Sequence, residues 1–252
     1  MDRASAVRIA VVAPDLLGTY GDFGNAIVLE RRLGWRAIEA SVVRVDTGGE
    51  VPDSCDLYLL GGGEDAQQIL ACRELAASGA LHRAVNRGAV VLAVCAGFQI
   101  AGQSFPGADG MSVTGLGLLD VETVRSSDRR AVGELLTRAI SSSLGGIDIG
   151  ELTGFENHGA RTRLGVDAKA FATVIDGVGN GFDRREGAVN GRVVGTYLHG
   201  PVLARNPALA DLLLEWVVGP LPPLEVAEVH RLRTERIRAV HRPRERRHRA
   251  NR

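Results

Sequence analysis

Four short aliphatic runs, at residues 8–13, 42–45, 57–60 and 90–94, show no alternation of polar and apolar positions. A strand with one wet face alternates, whereas a strand covered on both faces stays apolar throughout. Each run ends in Gly, Pro or acidic turn residues, and most lead into a helical stretch, at 25–34, 66–77, 81–86 and 98–102. Strand–helix alternation of this kind predicts a parallel sheet with helices on both faces, an α/β fold. Reactive groups in such sheets gather at the carboxyl ends of the strands. Cys95 and the glycines Gly61, Gly62 and Gly63 fall at two of those ends.

The second half has a different texture. "GLGLLDVETV", "GELTGFENHGARTRL" and "GAVNGRVVGTYLHG" read as β segments punctuated by glycine, the last ending at His199 and Gly200. "NPALADLLLEWVV" then reads as an amphipathic helix with Asn206 as its cap and Pro207 at its first position. "PLPPLE" marks a stop. Residues 1–218 are therefore expected to form one domain, with 219–252 as a Pro/Arg-rich C-terminal tail.

Composition narrows the picture. At 45% hydrophobic and 24% charged, the 252-residue chain can bury a core, and with 4% aromatics that core must be aliphatic. A formal net charge of +0 gives no electrostatic case for nucleic acid. The tail is the exception: from His230 onward ten arginines face only Glu235 and Glu245, a formal +8. It reads as a solvated helix, without the aromatic residues that would suggest RNA. Three cysteines at irregular spacing form neither a disulfide framework nor a zinc pattern, so reduced thiols and a cytoplasmic setting are expected. The opening apolar run is too short for a signal peptide. No stretch approaches the roughly 20 apolar residues of a membrane span.

Cys95 carries the chemistry. A strand, a nucleophile and a helix in succession make a nucleophile elbow, and Ala96 and Gly97 are small enough to permit the turn. Helix-start amides beneath the sulfur favour the thiolate. Cys72, inside a helical run, and Cys55, beside a strand, read instead as core cysteines. A thiol nucleophile needs a base. His230, His241 and His248 lie in the tail and His82 in an Arg-rich surface helix, leaving His158 and His199. His199 ends the better-defined β segment and could converge on Cys95; His158 alone reads as a hydrogen-bonded structural histidine. "LLGGGED" offers backbone that can approach a substrate closely. It is no Walker A loop, since Lys169 is the only lysine in the chain.

These features, and six blocks in order, resemble the class I glutamine amidotransferases. The blocks are "YGDFGN" (20–25), "GGGEDAQQ" (61–68), "VCAGFQIAG" (94–102), "GLGLLDVET" (115–123), "GFENHGART" (154–162) and "GTYLHGPVLARNP" (195–207). Within that class they are similar to the cobyric-acid-synthase-like branch, and there to the GatD-type glutaminase subunits of lipid II isoglutaminyl synthase. The resemblance implies a flavodoxin-like fold and hydrolysis of L-glutamine to glutamate and ammonia. Cys95 would be the nucleophile, His199 the base, Gly63 and Ala96 the oxyanion donors, and Gln99 part of the pocket wall. Arg130 in "DRRAVGE" would bind glutamine, with Arg129 the adjacent register.

Two departures stand out. Ala160 replaces a second glycine after "NHG". More important, most class I members carry a Glu two residues after the histidine, and here that residue is Pro201. Nothing in its spacing aims Glu156 at His199, so the expectation is that a partner subunit lends a carboxylate, an Asp. The resemblance implies no cofactor in this chain. It implies instead a Mur-ligase-like subunit that holds ATP and uses the ammonia to amidate D-glutamate of lipid II, a step of peptidoglycan synthesis. The rivals are an amidotransferase of cobyrinic or cobyric acid synthesis, against which the missing P-loop argues, an inactive amidotransferase-like module, against which the intact Cys95 and His199 argue, and a DJ-1-like cysteine hydrolase, which would not explain "YGDFGN" or "TYLHGPV".

Overall fold

A computed structural model describes residues 6–250, with side chains through Val240. Residues 1–5, where the chain opens, and the tail side chains beyond Val240 lie outside it. All four aliphatic runs are strands: β1 (Val7–Val12), β2 (Ala40–Val45), β3 (Leu57–Leu60) and β4 (Val90–Val94). The helices between them are α1 (Gly24–Gly34), α2 (Asp65–Ser78) and α3 (Ala80–Asn86), and α4 (Ala96–Ala101) follows β4 directly.

Eight strands fill the middle of the chain: β5 (Ser104–Pro106), β6 (Ser112–Thr114), β7 (Val121–Arg125), β8 (Ala131–Ala139), β9 (Glu151–His158), β10 (Ala160–Leu164), β11 (Ala172–Asp176) and β12 (Arg185–Glu186). They form two small sheets, ordered β10-β7-β5-β6 and β12-β11-β8-β9, in which every pairing but β5 with β7 is antiparallel. β13 (Ala188–Asn190) and β14 (Val193–Thr196) return to the main sheet, followed by α5 (Val202–Arg205), α6 (Pro207–Val218) and α7 (Ala227–Ala250).

The main sheet runs β13-β14-β4-β3-β1-β2, parallel except for the antiparallel edge strand β13. Counting only its parallel strands, the order is 2-1-3-4-5, the flavodoxin-like order. Helices α1, α5 and α6 pack with one another, and α2 packs on both α3 and α4, the division expected when a doubly wound sheet is covered on both faces. β3 and β4 are buried at every position, as their unbroken apolar runs require. β2 departs from that expectation: as the edge strand it keeps only Val45 fully buried, and Arg44 points to solvent.

Two further readings need correction. Asn206 precedes α6, but its side chain makes no capping bond. It spans two elements instead, donating to Thr153 O and Val202 O and accepting from Thr153 N–H. The tail is not simply solvated: α7 packs on α5, β8 and β9, Val240 is buried, Arg233 donates to Glu151 O, and Arg236 lies 4.0 Å from Glu134.

Candidate active site

Four loops at the carboxyl ends of neighbouring strands bring the chemistry together. Cys95 follows β4, Gly61 to Gly63 follow β3, His199 follows β14, and the loop from Ala13 to Phe23 follows β1.

At the elbow, the Cys95 N–H donates to Thr196 O at 2.8 Å, carrying the β4–β14 ladder one residue past the strand. The backbone then reverses at Cys95, with φ 52° and ψ −104°. Positive φ in a residue with a Cβ costs on the order of 1–3 kcal/mol and persists only where its surroundings hold it. Here Gln99 N–H donates to Cys95 O at 3.0 Å and Gly97 N–H to Gly61 O at 3.0 Å. A Cβ at Gly97 would come 2.7 Å from Leu60 O, so the residue under the elbow must be glycine. Cys95 is 7% exposed and opens onto a cleft of about 280 Å³. Gly63, Ala96, Gln99 and Arg130 also line that cleft, so each of these expected site residues is at its wall.

His199 lies behind this wall, 1% exposed. β9 grips its backbone: Phe155 N–H donates to His199 O at 3.0 Å and His199 N–H to Phe155 O at 2.8 Å. Its ring sits 4.5 Å from that of Tyr20, and a Cβ at Gly62 would come 2.7 Å from its Cε1. The glycine run thus lets the imidazole in, besides offering backbone to the cleft. Burial by itself would lower the pKa of His199, but its interactions with Asp22 and Cys95 outweigh burial and push it up to about 9.

Asp22, which the sequence reading did not single out, lies beside the ring. It is 4% exposed, and its Oδ2 lies 3.8 Å from His199 Nδ1. The same oxygen accepts a 2.7 Å bond from Gly62 N–H. Glu156 is engaged elsewhere. It accepts from Val178 N–H at 2.8 Å and Gly179 N–H at 2.9 Å, and lies 3.4 Å from His158 Nε2. His158 stacks on Tyr197, with centroids 3.9 Å apart, and its Nδ1 is 3.0 Å from Ala160 O. The structural reading of His158 therefore holds.

The Gln99 amide is engaged at both its oxygen and its nitrogen. It accepts from Gln68 Nε2 at 2.9 Å and donates to Tyr197 OH at 3.2 Å. Tyr197 OH pairs with Thr162, which pairs with Thr123. Burial raises the Tyr197 phenol to about 12, so it remains neutral. At the mouth, Arg130 Nε donates to Asn157 Oδ1 at 2.6 Å, and Asn157 Nδ2 donates to Tyr20 OH at 2.9 Å. Arg129 is absent from the cleft wall; its carbonyl accepts from Arg161. Cys55 and Cys72 are buried, and burial raises both thiols.

Residues 8–207 match the CobB/CobQ-like glutamine amidotransferase domain. The chain belongs to that family. Among curated proteins it is 37% identical to the GatD subunit of glutamine-hydrolysing lipid II isoglutaminyl synthase from Staphylococcus aureus, over 80% of each chain. It is 33% identical to the same subunit from Streptococcus pneumoniae, over 82% of this chain and 79% of that one. In fold, this amidotransferase resembles the solved PurLQS structure from Thermotoga maritima, with a TM-score of 0.58 at 20% identity, over 84% of this chain and 99% of that one. Among the described residues the amidotransferase has no group of His, Cys, Asp and Glu side chains placed to hold a metal, and no helix long and apolar enough to cross a membrane.

Proposed function

We propose that this chain is the glutaminase subunit of a lipid II isoglutaminyl synthase. The observation that carries the reading is Cys95 on a strained elbow facing the cleft, with His199 buried behind it, in an amidotransferase similar to two GatD subunits over most of their length.

Cys95 attacks the side-chain amide carbonyl of L-glutamine while His199 takes the thiol proton. The new C–S bond pushes the carbonyl electrons onto oxygen, where the N–H groups of Gly63 and Ala96 hold the charge. Collapse of this intermediate breaks the C–N bond, and His199 returns its proton to the departing ammonia. His199 then deprotonates a water that attacks the thioester, releasing glutamate and the thiol. Arg130 holds the α-carboxylate of glutamine, to which its planar fork is suited, with Asn157 fixing the guanidinium. Gln99 shapes the wall, its amide held by Gln68 and Tyr197. Ammonia passes to a Mur-ligase-like subunit that binds ATP and activates the α-carboxylate of D-glutamate in lipid II.

The test pairs the purified chain with a candidate Mur-ligase-like protein and follows glutamate release and lipid II amidation. Wild type should support both from glutamine. Cys95→Ser should support amidation only from added ammonium, while Cys55→Ser and Cys72→Ser remain active. Glutamine-dependent amidation by Cys95→Ser would refute the assignment.

A further inference from the structure

Away from the active site, α1 and α7 together present a face that the glutaminase chemistry does not use. Along α7 the positions turned inward are Val229, Arg233, Ile237 and Val240, spaced three or four apart, and this stripe packs the helix on α5, β8 and β9. Arg231 and Arg238 stand on the opposite side, exposed, with no ion-pair partner among the described residues. Leu232, at the flank, is 57% exposed. Beside α7 lies an apolar groove of about 170 Å³, lined by Ile27, Arg31, Trp35, Leu203 and Val229 among others. Ile27, Arg31 and Trp35 are four residues apart and so form one row along α1 and its cap. Ile27 is 48% exposed and Trp35 55%. Arg36 Nε donates to Pro222 O, which ties the segment before α7 to the end of α1.

The charge distribution singles out the same end of the molecule. The chain sums to +0, so the +8 from His230 onward is set against −8 in the rest. Several arginines of the body are already paired, Arg32 and Arg36 with Asp211, Arg44 with Asp46 and Arg83 with Asp53. Residues 241–252 follow directly on Val240, the last inward position. They hold six arginines, one glutamate and no large apolar side chain, so their sequence has nothing to bury against the core.

We infer that the α1–α7 face, with the arginine-rich segment after it, is a docking surface for an anionic lipid bilayer. The choice of a bilayer rests on the function proposed above, in which the acceptor is itself a lipid. An acidic body is repelled by an anionic surface, so the molecule settles on it only through this basic end. Each arginine near such a surface is worth about a fivefold gain in partition. Trp35, Ile27 and Leu232 add apolar tips of the kind that seat at the headgroup level. The carboxylates of this face are few: Glu228 and Glu235 are exposed, and Glu225 is held by His230 at 2.6 Å. Nucleic acid is the rival anionic partner, but an aliphatic groove with one tryptophan offers phosphates nothing to bind.

The test spins the full-length protein with vesicles of phosphatidylcholine alone or of an even mixture with phosphatidylglycerol. It should pellet with the mixture and not with phosphatidylcholine, and salt at about 1 M, where the Debye length is about 3 Å, should release it. Replacing Arg242, Arg244, Arg246, Arg247 and Arg249 by Gln should weaken binding at least about 100-fold and leave glutamine hydrolysis and melting temperature unchanged. Trp35→Ser with Leu232→Ser should weaken it by about tenfold. Tryptophan emission should shift to the blue on mixed vesicles, and Trp35→Phe, which leaves only Trp216, should abolish the shift. No pelleting with the mixture at low salt would overturn the inference, as would equal pelleting with phosphatidylcholine or wild-type binding by the five-arginine variant. Tight binding of duplex RNA without any preference for the mixed vesicles would assign the segment to nucleic acid instead. Trp35 buried in a dimer of this chain or against the second subunit would make the face a protein interface, and that too overturns it. Vesicle binding without glutamine hydrolysis would leave the surface standing and fell the glutaminase reading; hydrolysis without vesicle binding would fell the surface alone.

Discussion

Two histidines of this molecule are buried, each beside a buried carboxylate, and they are opposites. His158 has both ring nitrogens near acceptors, its ring is stacked on Tyr197, and Glu156 is filled by two backbone amides. His199 has neither nitrogen satisfied and its carboxylate keeps one oxygen unpaired. Burial and acid–base type do not distinguish them; unspent hydrogen-bonding capacity does. A saturated histidine is a tie between β9 and its neighbours. An unsaturated one, kept so by a rigid surround, is free to exchange a proton.

The comparison breaks most sharply under substitution of the two rings. His199→Asn should lower glutaminase kcat by at least about 10³-fold while the melting temperature changes little. His158→Gln should do the reverse. Its kcat should stay within about tenfold, and stability should drop by roughly 1–3 kcal/mol through lost stacking and hydrogen bonds, read as a melting temperature lowered by several degrees. Equal kcat losses would erase the distinction.

Arg130 sharpens the division between reacting and holding groups. Arg130→Ala should raise KM for glutamine by about 10- to 100-fold, yet leave ammonium-dependent amidation by the assembled enzyme intact. Arg129→Ala, outside the cleft wall, should leave KM unchanged. The reverse result would move the binding register by one residue.

The smallest effect is one of stability against pH. Burial raises the Glu186 carboxyl to about 7, against hydrogen bonds from Tyr197 N–H and Thr196 and with a contribution from the charge of Glu156. A raised carboxyl favours the neutral form when folded. Stability from this group is therefore greatest below about 4.5 and declines as pH rises toward 7. Glu186→Gln should flatten that decline in denaturant titrations. At the other end, the raised pKa of His199 stabilises the fold below about 6.5 and is lost as pH rises through about 9. Asp22→Asn should shrink that upper slope, leaving the part due to Cys95, whereas His158→Gln should leave it whole.

Much of this was legible from local pattern. The four aliphatic runs, the helices between them and the elbow at Cys95 follow from periodicity and residue size, and the structure keeps their positions within one or two residues. The 2-1-3-4-5 order accords with the resemblance. β8 was not legible: "AVGELLTRA" is built largely from helix formers. It is extended because it pairs with β9 over eight residues, a non-local fact. Asn206 looked like a cap because its residue type suits one. Its side chain serves β9 instead, which no window around position 206 contains.

Asp22 belongs to the same class. Sequence alone put Cys95 at the end of β4 and His199 after β14, because strand, turn and small-residue signals are written in neighbouring positions. That Asp22 lies 3.8 Å from the His199 ring is a relation between residues 177 positions apart, set by the strand order β14-β4-β3-β1. Sheet order decides which loop ends share a rim, and it is fixed by long-range pairing rather than by any local preference of the loops themselves.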